Sequence, residues 1–141
     1  MMTVHSLTYR VRYADTDAGG VVYNANYLKY FEIGRSEMMR EHVCSYKVIE
    51  DAGILLPVTE SFTRYKAPAH YDDLLIIETE VTELKKFTCK FSYRISRDDG
   101  SKRPRLIARG YTVHAGINQE GKLVVLPEEI HAKIALLIAK S

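Results

Sequence analysis

Long apolar runs are missing from this 141-residue chain, and none reaches the roughly 18 residues that a membrane-spanning helix needs. The amino end, Met1-Met-Thr-Val-His-Ser6, lacks the basic head and apolar core of a signal peptide. Cysteine is scarce: Cys44 and Cys89 stand at no metal-ligand spacing, so two free thiols in a reducing compartment are expected. No excess of one charge exists either. Lys and Arg number 20 against 18 Asp and Glu, for a formal net charge of +2. The compact basic spots are Lys85-Lys86, read as a solvated strand end, and Ser101-Lys-Arg-Pro-Arg105, read as a charged hairpin loop. That balance argues against nucleic acid or an anionic membrane as partner, and a cytoplasmic location is expected.

Several catalytic signatures are absent as well. There is no Gly-x-Ser-x-Gly elbow, no phosphate-binding loop, no dinucleotide glycine pattern and no zincin or deaminase motif. His5, His42, His70, His114 and His131 are far apart in the chain. His114, late in a strand, reads as a packing histidine, and His70 beside Tyr71-Asp-Asp73 as a turn residue. No metal and no cofactor are expected.

What is present suits a single globular domain over residues 1–141, with 46% hydrophobic and 27% charged residues. Leu7, Tyr9, Val11 and Tyr13 alternate with Thr8, Arg10 and Arg12, the period of a half-buried strand, until Gly19-Gly20 breaks it. From Tyr27 the period becomes helical. Tyr27, Phe31, Gly34 and Met38 share a stripe flanked by Tyr30 and Ile33, while Lys29, Glu32, Ser36 and Arg40 face elsewhere. Asn24 or Asn26 is placed to cap this helix, which is expected to reach about Val43 before a less regular segment through Gly53.

Strands are expected over Val58–Ala67, which alternates imperfectly, over Leu74–Leu84, over Phe87–Ser96 and over Leu106–Ala115. A short piece near Val124-Val125 and an amphipathic helix after Pro127, carrying Ile130, Ile134 and Leu137, complete the order. The class is α+β. A curved antiparallel sheet must bury one face, and the long helix is the element available to cover it. Open sheet edges then favour an oligomer.

The densest chemistry lies in Tyr13-Ala-Asp-Thr-Asp-Ala-Gly-Gly-Val-Val-Tyr-Asn-Ala-Asn-Tyr27. It sets Asp15 and Asp17 at a strand-to-helix junction, where two readings stand: turn capping and catalysis. Two like charges that close favour a division, with one carboxylate tied to backbone amides and the other facing a cleft. Asp17, beside the glycine turn, is the better candidate for the cleft. Gly19 and Gly20 permit positive φ and close backbone approach. Free N–H groups at the helix start are suited to polarise a carbonyl and hold an oxyanion. Tyr23 and Tyr27 flank that start, with core packing the expected role of Tyr27. Glu60 falls on the face of Phe62, where either a site role or an exposed edge position is open.

The pattern Tyr13-x-Asp15-x-Asp17-x-x-Gly20-x-Val22-Tyr23-x-x-x-Tyr27, with the helix Leu28–Glu37, strongly resembles the hotdog-fold acyl-CoA thioesterases of the 4-hydroxybenzoyl-CoA and Tol-Pal-associated types. The likeness continues through Tyr65-Lys-Ala-Pro68, Tyr71-Asp-Asp-Leu74 and Arg109-Gly-Tyr-Thr-Val113. It implies a sheet wrapped around a long helix, working as a homodimer or as a dimer of dimers, a homotetramer. It also implies hydrolysis of acyl-CoA to a free acid and CoA. Asp17 is then the nucleophile or general base, a helix-start amide holds the thioester oxygen, and Glu60 stands among residues that a facing strand could supply across the dimer. An acyl carrier protein in place of CoA stays open. So do two other functions: an acyl-thioester hydratase or dehydratase, and a non-catalytic acyl-thioester-binding module. The chain departs from the Tol-Pal-associated branch at Asn24, where that branch commonly has histidine. Asparagine can donate or accept a hydrogen bond but cannot shuttle a proton near neutral pH.

Overall fold

Residues 3–138 are described by the structure, a computed structural model. The chain runs β1 (His5–Arg10), a 3₁₀ turn (Tyr13–Asp15), α1 (Asn26–His42), α2 (Tyr46–Asp51), β2 (Val58–Tyr65), β3 (Leu74–Leu84), β4 (Thr88–Arg97), β5 (Arg105–Ala115) and α3 (Glu128–Ile138). The strands form one five-stranded sheet in the order β1-β3-β4-β5-β2, with every neighbouring pair antiparallel. This is the expected α+β hotdog arrangement of a sheet and a long helix. No described helix is long and apolar enough to cross a membrane.

Period decides which residues go inside. In β3, Leu75, Ile77, Thr79 and Val81 are buried, and in β4 so are Cys89, Phe91, Tyr93 and Ile95. Against that face α1 lays Tyr27, Tyr30, Phe31, Gly34, Met38 and Met39, all buried. Each large apolar side chain removed from water this way contributes roughly 1.5–3 kcal/mol. Phe31 stacks on Tyr93 with ring centroids 4.3 Å apart and planes 7° from parallel. At Gly34 the helix comes so close to β3 that a Cβ would collide with Thr79 Oγ1 and meet Ile77 Cγ2 at 2.9 Å. The close crossing therefore requires glycine. α3 shares the covering of β3, a task that the sequence assigned to the long helix alone.

Three local expectations are corrected. The first strand ends at Arg10 rather than running through Tyr13, because the Asp15 carboxylate accepts the Arg12 N–H at 3.1 Å and curls the chain into the 3₁₀ turn. The segment before Gly53 contains a short helix, α2. Neither Asn24 nor Asn26 caps α1: the cap position is Ala25, with no side-chain hydrogen bond. Instead Asn26, Tyr27 and Leu28 donate their N–H groups to the carbonyls of Tyr23, Asn24 and Ala25, so a tight turn leads into the helix.

The imperfect alternation of β2 has two causes. A bulge interrupts its pairing with β5 between Val58 and Glu60, and the strand lies at the sheet edge, where all its residues but Thr63 are exposed.

Candidate active site

Asp15 and Asp17 are separated by the turn into opposite environments. Asp15 is 2% exposed. Its carboxylate accepts from Tyr9 Oη at 2.8 Å, Arg12 N at 3.1 Å, Lys29 Nζ at 2.5 Å and Tyr30 Oη at 3.0 Å. Burial works to raise its pKa, but the Lys29 ammonium, the Arg12 amide and the two phenols together hold it below the ordinary carboxylate value. The same contact raises the pKa of Lys29. Tyr30 is pushed up by burial and by the Asp15 charge. This ion is charged, paired and closed to solvent.

Asp17 is exposed. One hydrogen bond reaches its carboxylate among the described residues, from Gly19 N at 2.8 Å. The loop that carries it folds back on itself: Asp17 N–H donates to Val21 O, Gly20 N–H to Asp17 O, and Thr16 pairs with Val22 in an antiparallel bridge. Gly20 makes the reversal at φ +83°, a conformation that side-chain-bearing residues rarely adopt, whereas a Cβ at Gly19 would lie 3.2 Å from Asp17 Oδ1 and press on that exposed carboxylate.

The loop delivers the chain to the start of α1. There Tyr23 N–H donates to the Asp15 carbonyl at 2.9 Å, and Asn26 Nδ2 donates to that same oxygen at 2.8 Å. Between these anchors, the N–H groups of Asn24 and Ala25 have no acceptor among the described residues. The free donors therefore precede the helix rather than belonging to its first turn.

The other candidates divide. Tyr27 is buried, packed edge-on against Tyr30 and Tyr65, and burial pushes its phenol up to about 12. With Asn24, Tyr65 and Pro68 it lines an open pocket of about 330 Å³ beside the helix start; Asp17 is not part of that lining. Tyr23 is exposed. Tyr13, 79% exposed, stands off the core and meets Tyr71 edge-to-face at 5.6 Å.

Glu60 is not brought to Asp17 within one chain. It accepts Tyr111 Oη at 2.6 Å, on the sheet face where Phe62 stacks on Tyr111. Register explains this, because Phe62 pairs with Tyr111 while the neighbouring Gly110 points to Phe31 and the core. The histidines behave as expected. His114 is buried between Leu56 O at 2.9 Å and Thr112 Oγ1 at 2.8 Å, and His70 is exposed in its turn.

Three further side chains join the site: Tyr9 and Lys29 at Asp15, and Tyr65, whose hydroxyl reaches the Asn24 carbonyl at 3.2 Å. Tyr30, expected in the core, also donates to Asp15, and Asn26, expected as a cap, holds the Asp15 carbonyl. Lys29 was assigned to the solvent side of the helix, and its side chain is indeed 45% exposed. Its three-residue spacing from Asn26, on one helix face, was the available signal. Among the described residues no group of three or more His, Cys, Asp or Glu is arranged to hold a metal ion.

Known proteins resemble this chain in sequence and in fold. Residues 11–134 match the Thioesterase-like superfamily. The acyl-CoA thioesterase YbgC of Haemophilus influenzae is 37% identical over 130 residues, covering 90% of this chain and 91% of that protein. The acyl-CoA thioester hydrolase YbgC of Shigella flexneri is 42% identical over 86 residues, a match spanning 61% of this chain and 64% of its relative's length. Among solved structures, a 1,4-dihydroxy-2-naphthoyl-CoA thioesterase from Synechocystis superposes with a TM-score of 0.84 at 27% identity, over 94% of this chain and 96% of that one. With the sheet, the helix and the matched residues in agreement, the chain belongs to the Thioesterase-like superfamily, the hotdog-fold acyl-CoA thioesterases, a family of enzymes.

Proposed function

We propose that this protein hydrolyses an acyl-CoA thioester to a free carboxylic acid and CoA, with Asp17 as the reacting carboxylate. The observation that carries the assignment is the division of labour between the two aspartates. Asp15 is enclosed and saturated with donors, whereas Asp17 is open and holds one backbone N–H. As general base, Asp17 takes a proton from water as the water oxygen attacks the thioester carbon. As nucleophile, it forms an acyl-aspartyl anhydride, expels the CoA thiolate, and is freed when water hydrolyses the anhydride. Either route passes through an oxyanion, and the unpaired N–H groups of Asn24 and Ala25 are the donors suited to it.

Asn24 contributes more through its backbone than as a helix cap, and its side chain is free to orient water. Tyr23, Tyr27 and Gly20 shape the entry, and Tyr13 stands at its rim. Residues 1–141 are read as one thioesterase domain working in the cytoplasm. The open β2 edge and the unroofed site support a homodimer in which a second copy covers the acyl group, with pairing of dimers to a tetramer as the larger form. CoA is the carrier favoured by the family, and acyl carrier protein is the alternative to be assayed beside it.

The test is Asp17→Asn in a thiol-release assay over a panel of acyl-CoA and acyl-carrier thioesters. Turnover should fall at least about a hundredfold with the fold and substrate binding retained. Near-full turnover would remove Asp17 from the chemistry. Substrate binding by the native protein with no thiol release on any thioester would instead favour a binding module.

A further inference from the structure

We propose that Lys29 is a positioning residue for thioester hydrolysis, acting through Asp15 to hold the Asp17 carboxylate in register with the N–H donors of Asn24 and Ala25. The inference rests on the assignment of Asp17 above and names a residue outside that site on which its rate depends.

Asp15 touches both halves of the site. Its carbonyl oxygen takes the N–H of Tyr23 at 2.9 Å and the side-chain amide of Asn26 at 2.8 Å. Those two anchors bracket Asn24 and Ala25, so the carbonyl sets where the free donors point. Asp17 follows two residues along, and its carboxylate has only the Gly19 N–H to hold it, inside its own small loop. That loop is rooted where Thr16 pairs with Val22 and Val22 N–H donates to Ala69 O. A shift of Asp15 therefore moves carboxylate and donors relative to one another.

What holds Asp15 itself is a set of groups from two elements. Tyr9 comes from β1, and Lys29 and Tyr30 come from α1, joined by the amide of Arg12. Lys29 is the one cation bonded to the carboxylate among the described residues. Without it, a buried anion would rest on neutral donors, a cost that the uptake of a proton would relieve. The ammonium also lies 6.0 Å from the Tyr9 ring centre and 5.7 Å from that of Tyr30, so those rings limit its freedom. A surface pair of this kind would contribute little; the burial of its carboxylate makes it consequential. Misplacement of a reacting group by about 1 Å costs up to roughly a hundredfold in rate.

The experiment compares native protein with Lys29→Met, Lys29→Arg and Tyr9→Phe, using the most active acyl-CoA of the panel and following kcat, KM, thermal midpoint and the pH profile of kcat. Lys29→Met should lower kcat at least about tenfold with KM within about twofold, and move the acid limb of the profile up by about one pH unit or more, as Asp15 takes up a proton. Lys29→Arg should recover kcat to within about threefold and return the acid limb toward its native position.

A folded Lys29→Met variant with native kcat and an unmoved acid limb would overturn the proposal. So would a rise in KM at constant kcat, which would make Lys29 a substrate contact. If Lys29→Met does not fold, Tyr9→Phe removes one donor and leaves the ion pair. It should then lower kcat and raise the acid limb by smaller amounts, and no change in either would also overturn the proposal. Full turnover by Asp17→Asn strikes the underlying assignment, whereas an inactive Asp17→Asn beside a fully active Lys29→Met strikes the positioning role alone.

Discussion

At the scale of residues, burial turns identical side chains into different chemical objects. Two aspartates two positions apart share a sequence context, yet one receives four hydrogen bonds, one of them from an ammonium, while the other keeps a free edge. His114 is a second case. Burial lowers its pKa from 6.5 to about 4, aided by the Arg35 charge and opposed by its bond to the Leu56 carbonyl. Thr112, the Phe91 ring and the Leu56 carbonyl surround it.

The folded pKa of His114 lies below the unfolded one, so between 6.5 and about 4 the unfolded chain binds a proton that the folded chain refuses. Its contribution is complete above pH 6.5 and is lost as pH falls through that window, about 3 kcal/mol in all. Urea unfolding at pH 7 and pH 4.5 should show the native protein losing about 2 kcal/mol more than His114→Gln over that drop. Equal losses would mean that His114 is not held neutral by its surroundings.

At the scale of elements, the fit of α1 on β3 depends on a missing side chain. Gly34→Ala drives a methyl into Thr79 and Ile77, and overpacking of this kind costs about 1–3 kcal/mol. Thr79 Oγ1 is buried without a hydrogen-bond partner, so trimming it loses no bond. The double variant Gly34→Ala with Thr79→Ala should therefore recover at least half of the single variant's loss in thermal midpoint. Simple additivity of the two losses would show that the contact at Gly34 is not the cause.

The elements were legible in the sequence wherever one period ran uninterrupted. β4 and the buried stripe of α1 are examples, since each presents one face to one core, whereas β3 was legible by its Ile, Val and Thr content. β1 was overread because Val11 and Tyr13 continue its alternation in letters. In space Asp15 captures the Arg12 amide and leaves Tyr13 exposed, and no local period records that event.

At the scale of the whole molecule, the edge strand β2 is the unfinished part. It is eight residues long and exposed along nearly all of its length, with no strand on its outer side. Such an edge is a template for pairing, and a second copy supplies a matching edge. Replacing Ser61 and Thr63 with aspartate sets like charges along both edges at once. Sedimentation velocity should then show the proposed dimer in the native protein and a shift toward monomer in the variant at micromolar protein, with a parallel loss of thiol release. A variant that stays dimeric would place the interface elsewhere, and a fully active monomer would show that the site needs no roof.

By itself the sequence determined the class of fold, the succession of strand, helix and strands, and the fifteen-residue block proposed to hold the chemistry. Those are consequences of period, turn residues and a local motif, all of which are written in neighbouring positions. The glycine turn already favoured Asp17 as the open aspartate, but the groups that enclose Asp15 were decided only in three dimensions, because Tyr9, Lys29 and Tyr30 reach it from two separate elements. The same holds for the free donors: Asn24 and Ala25 are left unpaired because the Asp15 carbonyl engages the groups on either side of them. Within one chain, register likewise turns Glu60 toward Tyr111. Hydrogen bonds between distant segments carry no local period, so only the assembled sheet and helix reveal them.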